Sequence, residues 1–322
     1  MPFKEQGVID VVADEARGLL YIVTCEDQHW MLYDMKVETY RELGPMLTPY
    51  ATTLIDGEGR AHALDKSFNL VTYDPETGRT TKRSIELDGQ PFTRANRASI
   101  PTWNLAADGR TAWLILMNDA TLVSMDLGAE GETVKAVNHG KMTEGDKPDS
   151  RSALIIAPDG RIYTLIRTQN NTGFGTGMLH NLHRYDPARK QHEDLGVLTV
   201  KNPDFFNFEG VGGKKPPWSH GYHHLPDGTL TPLHNHMALI AARDGTLYAT
   251  IIYPFTLLKI EGVDTPSVRP GPAEQYLKTL ESDLHRLEKE LSVYSMLGTL
   301  AAERYDEGGL IGFHWLGSTL EQ

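Results

Sequence analysis

The chain has few of the residues that build cross-linked or membrane-bound proteins. It contains a single cysteine, Cys25, so no disulfide can form within it. It has no apolar run of about 18 residues, so we expect no membrane-spanning helix. The first residues, from Met1, hold no apolar segment of the signal-peptide type. We therefore expect a cytoplasmic protein by default, or a secreted or periplasmic protein whose leader has been removed.

Clusters of positive charge are also scarce. The formal net charge is −12, with 31 Lys and Arg against 43 Asp and Glu, and no basic run is longer than Lys214-Lys215. This balance argues against a nucleic-acid partner, which would need a basic patch. Apolar residues make up 40% of the 322 positions, which is enough to form the core of a large folded domain.

What the chain does have is a repeated phrase, in which an acidic residue and glycine lead into an apolar run. A Tyr-Asp-Pro turn often follows, and the phrase recurs about every 50 residues. The glycine favours a hairpin turn because it readily adopts positive φ. Its four copies are Glu58-Gly59-Arg60, Asp108-Gly109-Arg110, Asp159-Gly160-Arg161 and Asp244-Gly245-Thr246. The spacing predicts an all-β β-propeller with about five readable four-stranded blades, and it leaves six or seven open.

The repeat also predicts the boundaries of the domains. The propeller covers residues 1–268, and its blades after the first begin near Tyr50, Ile100, Arg151 and His236. Residues 201–233 break the repeat, either as a long loop over the central channel or as a degenerate sixth unit.

A different periodicity predicts a C-terminal α-helix over residues 269–305. Leucines at alternating spacings of three and four, from Leu277 to Leu291, form a narrow apolar stripe. The helix packs on the side of the propeller, or it pairs across subunits and makes the protein a homo-oligomer. Residues 306–322 supply a tail strand that could close the last blade.

Aligning the repeats predicts which residues share a site. The innermost strand of each blade is expected to begin at Tyr50, Ile100, Arg151 and His236, at one mouth of the channel. Asp149 and His234 lie two positions earlier, and residues at i and i+2 of a strand share a face. We therefore expect Tyr50, Arg151 and these two residues to converge with His236 on one funnel. Arg94 and Arg97 are candidates for its rim.

The histidines cluster near this predicted mouth. Five of the 13 lie between residues 220 and 236. His234 and His236, with His224 as a third ligand, could hold a divalent metal such as Mn, Zn, Fe, Ni or Ca, and imidazole suits the first four. The alternative is a set of hydrogen-bonding histidines that orders the segment. His180 and His183 are expected to be exposed blade residues, and His62 to be structural or on the surface.

The segment Leu233-His234-Asn235-His236, which enters an Asp-Gly hairpin strand, resembles the metal-binding blade of propeller-type oligogalacturonate lyases. The resemblance implies a divalent metal in the central funnel and an arginine beside it. It also implies a base that abstracts the proton α to a uronate carboxylate. His234 and His236 are the residues that match.

These observations lead us to expect a metal-dependent β-eliminating lyase that acts on a uronate-containing saccharide. Arg151, with Arg94 or Arg97, would clamp the carboxylate. The remaining candidates are His220, His223, His224 and Tyr50 as bases, and Asp149, Trp218, Tyr222 and Phe174 as substrate-binding residues. Two alternatives stay open: a non-catalytic propeller that binds a protein or glycan, and a calcium-type hydrolase or lactonase with oxygen ligands such as Asp149 and Asn104.

Overall fold

The fold is described from a computed structural model. The residues it describes are 7–96, 101–150, 153–169, 178–198, 223–224, 230–231, 236–251 and 256–264. At 178–179, 197, 223–224, 230–231, 236–237, 251 and 256–258 the description covers the backbone alone.

All regular structure in the described residues is β. The strands, in chain order, are β1 (Val8–Asp14), β2 (Leu19–Thr24), β3 (Trp30–Asp34), β4 (Thr39–Glu42), β5 (Leu54–Ile55), β6 (Ala61–Leu64), β7 (Leu70–Asp74), β8 (Arg79–Leu87), β9 (Gln90–Pro91), β10 (Pro101–Leu105), β11 (Thr111–Leu116), β12 (Thr121–Asp126), β13 (Thr133–Lys141), β14 (Leu154–Ile156), β15 (Ile162–Gln169), β16 (Met178–Asp186), β17 (Gln191–Val197), β18 (His223–His224), β19 (Leu230–Thr231), β20 (His236–Ala241), β21 (Leu247–Ile251) and β22 (Thr256–Ile260). Within this part of the chain, no helix has the length and apolarity needed to cross a membrane.

The strands form repeated antiparallel meanders, each of which we call a sheet and number from the N-terminus. Strands β1–β4, β5–β8, β10–β13 and β14–β17 make the first four sheets, and β20–β22 are the described strands of the fifth. The four hairpin glycines all have positive φ, from 67° to 86°: Gly59, Gly109, Gly160 and Gly245. The predicted four-stranded repeat and its turns are thus confirmed.

The segment predicted as an irregular insertion, residues 201–233, contains the two-stranded hairpin β18–β19. The predicted helix at 269–305 and the tail strand at 306–322 lie outside the described residues. The fourth strand expected for the fifth sheet does too.

Contacts divide the chain into two compact units. Sheets one to three lie in the first unit, and most of sheet four with all the described strands of sheet five lies in the second. The core of the first unit has two clusters of buried side chains. One draws its side chains from sheets one and two, including Tyr21, Trp30 and Tyr73. The other draws them from sheets two and three, including Phe68, Leu87 and Leu114. Full burial of each such side chain stabilises the fold by about 1.5–3 kcal/mol.

Strand β8 belongs to two sheets at once. Its first half pairs with β7, from Asp74 opposite Arg79 to Leu70 opposite Arg83. Its second half pairs in parallel with β13, from Ser84 opposite Thr133 to Leu87 opposite Ala136. Sheets two and three are therefore joined edge to edge by backbone hydrogen bonds, and this edge of β13 is covered.

Candidate functional site

The first strands of most sheets are irregular near their starts. In β1 the pairing with β2 shifts register between Val8 and Asp10. In β20 the pairing with β21 shifts between His236 and Ala238. Strand β10 pairs regularly along its whole length. Such bulges re-aim side chains and are frequent next to active sites.

The second sheet has a larger interruption, and it changes the position expected for Tyr50. The chain first pairs at the isolated bridge between Leu47 and Asp65, and β5 begins only at Leu54. Tyr50 lies between them with φ of 69°, and 36% of the residue is exposed. Because an extended strand needs negative φ, the prediction that Tyr50 starts an inner strand is wrong. Tyr50 lies in a turn, and its carbonyl oxygen accepts a hydrogen bond from Thr102 Oγ1 at 3.3 Å.

The fourth sheet repeats this arrangement with charged residues. Asp149 and Arg167 form an isolated bridge, and β14 begins at Leu154. The two side chains form an ion pair through Arg167 Nη2 and Asp149 Oδ2, and each side chain is 14% exposed. The carboxylate of Asp149 is thus held by a guanidinium. The sequence reasoning missed Arg167, because cross-strand pairing brings it to Asp149 from 18 residues away.

The structure confirms that His236 begins the first strand of the fifth sheet. It also pairs His223 with Thr231 and His224 with Leu230 on the hairpin β18–β19. Since Thr231 precedes His236 by only five residues, the chain can separate their Cα atoms by at most about 17 Å. The hairpin therefore limits how far His223, which is paired with Thr231, can lie from His236.

Several other predicted site residues lie outside the described residues: Arg97, Arg151, Phe174, Trp218, His220, Tyr222 and His234. Arg94 lies in an exposed turn after β9. Asn104 donates from Nδ2 to the carbonyl oxygen of Leu154 at 3.3 Å, which gives it a part in joining strands β10 and β14. The described side chains contain no group of three potential metal ligands, and the side chains of the predicted ligands are not among them. The metal site stays a prediction.

Two of the other predictions about histidine are wrong. His180 and His183 were expected on the surface, but they are 0% and 2% exposed. The reason lies in β16, where the four consecutive residues from Leu182 to Tyr185 are all buried. Both faces of this strand are covered, so alternation along it no longer separates inside from outside.

His62 belongs to a buried hydrogen-bonded chain that the sequence reasoning did not detect. Its Nε2 lies 2.8 Å from Asp56 Oδ2, and its Nδ1 lies 2.9 Å from Thr72 Oγ1. Asp56 also accepts from Arg60 Nε at 2.8 Å. Although burial alone would raise the pKa of Asp56, the hydrogen bonds from His62 and Arg60 lower it, so the carboxylate is ionised. Burial lowers the pKa of His62, which is therefore neutral near pH 7. Nε2 then carries the proton toward Asp56, and the Thr72 hydroxyl donates to Nδ1.

A signal for this chain of residues was present in the repeat. In the second, fourth and fifth sheets, the turns that contain Gly59, Gly160 and Gly245 close with backbone hydrogen bonds to Asp56, Ala157 and Ala242. Six residues later come His62, Tyr163 and Tyr248. The second sheet therefore has an Asp–His pair where the fourth and fifth have Ala–Tyr.

The repeated four-stranded meanders define an all-β protein of the β-propeller class. No family model matches the sequence, and no curated protein matches it. Among solved structures, a virginiamycin B lyase from Staphylococcus aureus is 12% identical, with a TM-score of 0.41 over 83% of this chain and 84% of that chain. A streptogramin B lyase is 11% identical, with a TM-score of 0.38 over 78% and 92%. The Cps50 (Swd1) β-propeller domain of Myceliophteria thermophila is 12% identical, with a TM-score of 0.45 over 73% and 63%.

Proposed function

We propose that the protein is a metal-dependent lyase that cleaves a uronate-containing saccharide by β-elimination. The site belongs to the second unit. It combines the start of the fifth sheet at His236, the hairpin β18–β19 and the Asp149–Arg167 pair. The observation that carries the proposal is the bulge at His236, because a register shift at the start of a strand re-aims side chains and is frequent beside active sites.

The donor set fits a transition metal better than calcium. His234, His236 and His224 would supply imidazole nitrogen, which suits Zn, Mn, Fe or Ni, whereas calcium prefers oxygen. When bound, such an ion would neutralise the uronate carboxylate and acidify the adjacent C–H bond. The pairing of His224 with Leu230 supports this ligand set, since Leu230 is only a few residues before His236 and the short connection limits the distance between the two histidines.

The chain's own residues would bind the substrate and move the proton. A histidine of the 220–224 segment would take the proton from the carbon next to the carboxylate. The electrons of that C–H bond form a carbon–carbon double bond as the glycosidic C–O bond breaks, and the leaving oxygen takes a proton. Arg151 would clamp the carboxylate in bidentate fashion. Arg167, which Asp149 orients, is a second candidate for that contact.

Metal analysis of the purified protein, combined with turnover of oligogalacturonate, tests the proposal. We expect near-stoichiometric Zn, Mn, Fe or Ni, and ultraviolet absorbance from the unsaturated product. Chelation and His236→Ala should each abolish both signals. His29→Ala is the matched control, because His29 lies in the first unit, where its Nδ1 is 2.9 Å from Glu42. Metal-free protein that turns over at the full rate would refute the metal dependence. Protein without metal and without turnover would favour a non-catalytic propeller that binds a partner or glycan.

A further inference from the structure

A pocket lies in the first unit, on the face of sheet two. It has a volume of about 340 Å³ and opens beside the turn at residues 127–129 that follows β12. This volume is within the range of small-ligand sites, about 300–1,000 Å³. None of its lining residues was predicted as part of a site.

The register of sheet two explains why the pocket is polar. His62 pairs with Thr72, and Thr72 pairs with Thr81, so the three form one row across β6, β7 and β8. The neighbouring row holds Leu64 and Leu70, which pack in the core against sheet three. The face thus changes from apolar to polar within one row, and the turn at 127–129 forms the opposite wall of the pocket.

Three arginines line this pocket: Arg60, Arg79 and Arg83. Arg60 is engaged by carboxylates, with Nη2 at 2.8 Å from Asp56 and 3.1 Å from Glu58. Asp74, the lining carboxylate, is engaged by its own turn, since it accepts from Thr77 Oγ1 at 2.8 Å and from the Glu76 amide at 2.9 Å. The carboxylates around the pocket are therefore already partnered.

Arg83 and Arg79 remain without a carboxylate partner in the described part of the chain. Arg83 donates to two backbone carbonyls, Leu127 at 2.8 Å and Ala129, which leaves three of its five N–H donors for other partners. Burial and the nearby charge of Arg60 lower the pKa of Arg83, and the charge of Asp126 opposes them. Two guanidinium groups without an ion-pair partner, beside the hydroxyl of Thr81, favour an anion at this place on a protein whose net charge is −12.

We propose that this pocket binds a tetrahedral oxyanion, the phosphate or sulfate group of a small ligand, between Arg79 and Arg83. Thr81 donates a further hydrogen bond to it. The Thr72 oxygen, whose proton is directed at His62, accepts from a hydroxyl of the same ligand. The site is independent of the proposed lyase centre, since every residue in it belongs to the first unit.

Calorimetric titration of the full chain with inorganic phosphate and with sulfate, at constant ionic strength set by chloride, tests the proposal. We expect saturable binding of one anion per chain and a higher melting temperature. Thr81→Glu places a carboxylate between the two arginines, and Arg79→Gln removes one exposed charge. Each should weaken binding by at least about tenfold without unfolding the protein.

Arg189→Gln is the matched control, because that side chain is 71% exposed and lies in the turn between β16 and β17, outside the pocket. It should bind phosphate as the unmodified protein does. Phosphate and sulfate that act no differently from chloride, or Thr81→Glu that binds as tightly as the control, would overturn the proposal. A vacant lyase centre would leave this titration unchanged, so failure of one proposal is distinguishable from failure of the other.

Discussion

Sheets two and four place different chemistry at the same three positions of their repeat. Sheet two has His62, Thr72 and Thr81 in one row. Aligning the hairpin and Tyr-Asp-Pro phrases sets these opposite Tyr163, Arg184 and Glu193 in sheet four.

In sheet four the larger side chains bond to and contact one another. Arg184 bonds to Glu193 Oε2 and to Asp264 Oδ1, each at 2.5 Å, and its Cζ lies 6.0 Å from the Tyr163 ring centroid. Although burial alone would lower the pKa of Arg184, these hydrogen bonds raise it. The short side chains of sheet two instead leave a pocket flanked by arginines that lack such partners. Comparing internal repeats therefore reveals a candidate site, since short side chains in one sheet leave open a space that larger side chains occupy in another.

The largest expected effect comes from removing the carboxylate that supports the row in sheet two. Asp56→Ala leaves His62 and Arg60 without their shared acceptor, so we expect a loss of about 3 kcal/mol or more in the free energy of unfolding. Urea unfolding followed by tryptophan fluorescence measures it. Sheet four already has Ala157 at this position. Glu58→Ala is the control, because that side chain is 74% exposed and should leave the midpoint nearly unchanged. Equal midpoints for the two variants would contradict a supporting role for Asp56.

The same substitution should have opposite consequences at two buried histidines, His62 in sheet two and His183 in sheet four. His62→Leu leaves the buried Thr72 hydroxyl without its partner and removes the His62 hydrogen bond to Asp56 Oδ2, which keeps Arg60, and we expect a loss of about 2 kcal/mol. In the described residues, neither ring nitrogen of His183 has a hydrogen-bond partner, so His183→Leu should leave stability unchanged or increase it. Melting temperatures of the two variants, measured side by side, check this. A His183→Leu variant as unstable as His62→Leu would show that His183 has an essential partner.

The smallest expected effect is a dependence of stability on pH. Burial lowers the pKa of His183, nearby His192 lowers it further and Asp194 opposes both. Because the unfolded chain then binds the proton more readily, stability falls as pH drops below about 6.5, the ordinary pKa of histidine. Between pH 7 and 5.5 the loss from this residue is up to about 1 kcal/mol. Unfolding curves of His183→Leu should show a shallower fall over this window, and an unchanged slope would assign the proton to other groups.

The sequence predicted those parts of the fold that depend on local patterns. The hairpin glycines and apolar runs located the sheets, and the start of β20 at His236 was correct. Local patterns did not predict the pairing between segments that are distant in the sequence. Nothing near Asp149 indicates Arg167, and nothing near β8 indicates its parallel pairing with β13. Tyr50 was misplaced because the chain turns out of the strand pattern between Leu47 and Leu54.

The histidines show the same limit from another side. The pattern located the histidine-rich segment and the strand that begins at His236. It did not predict the burial of His180 and His183, because β16 is buried on both faces and alternation cannot then separate buried from exposed residues. Comparing the repeats position by position would have singled out His62, since its counterparts in two later sheets are tyrosines.

The strand that sheets two and three share has a consequence for cooperativity. Ordinary blades meet through side chains and could open one at a time, whereas β8 ties two of them through main-chain hydrogen bonds from residues 84–87 to residues 133–136. Opening either sheet breaks the hydrogen bonds that these two segments share. Amide protons on both sides of this seam should therefore exchange with solvent in a single correlated event, which makes the two sheets one foldon.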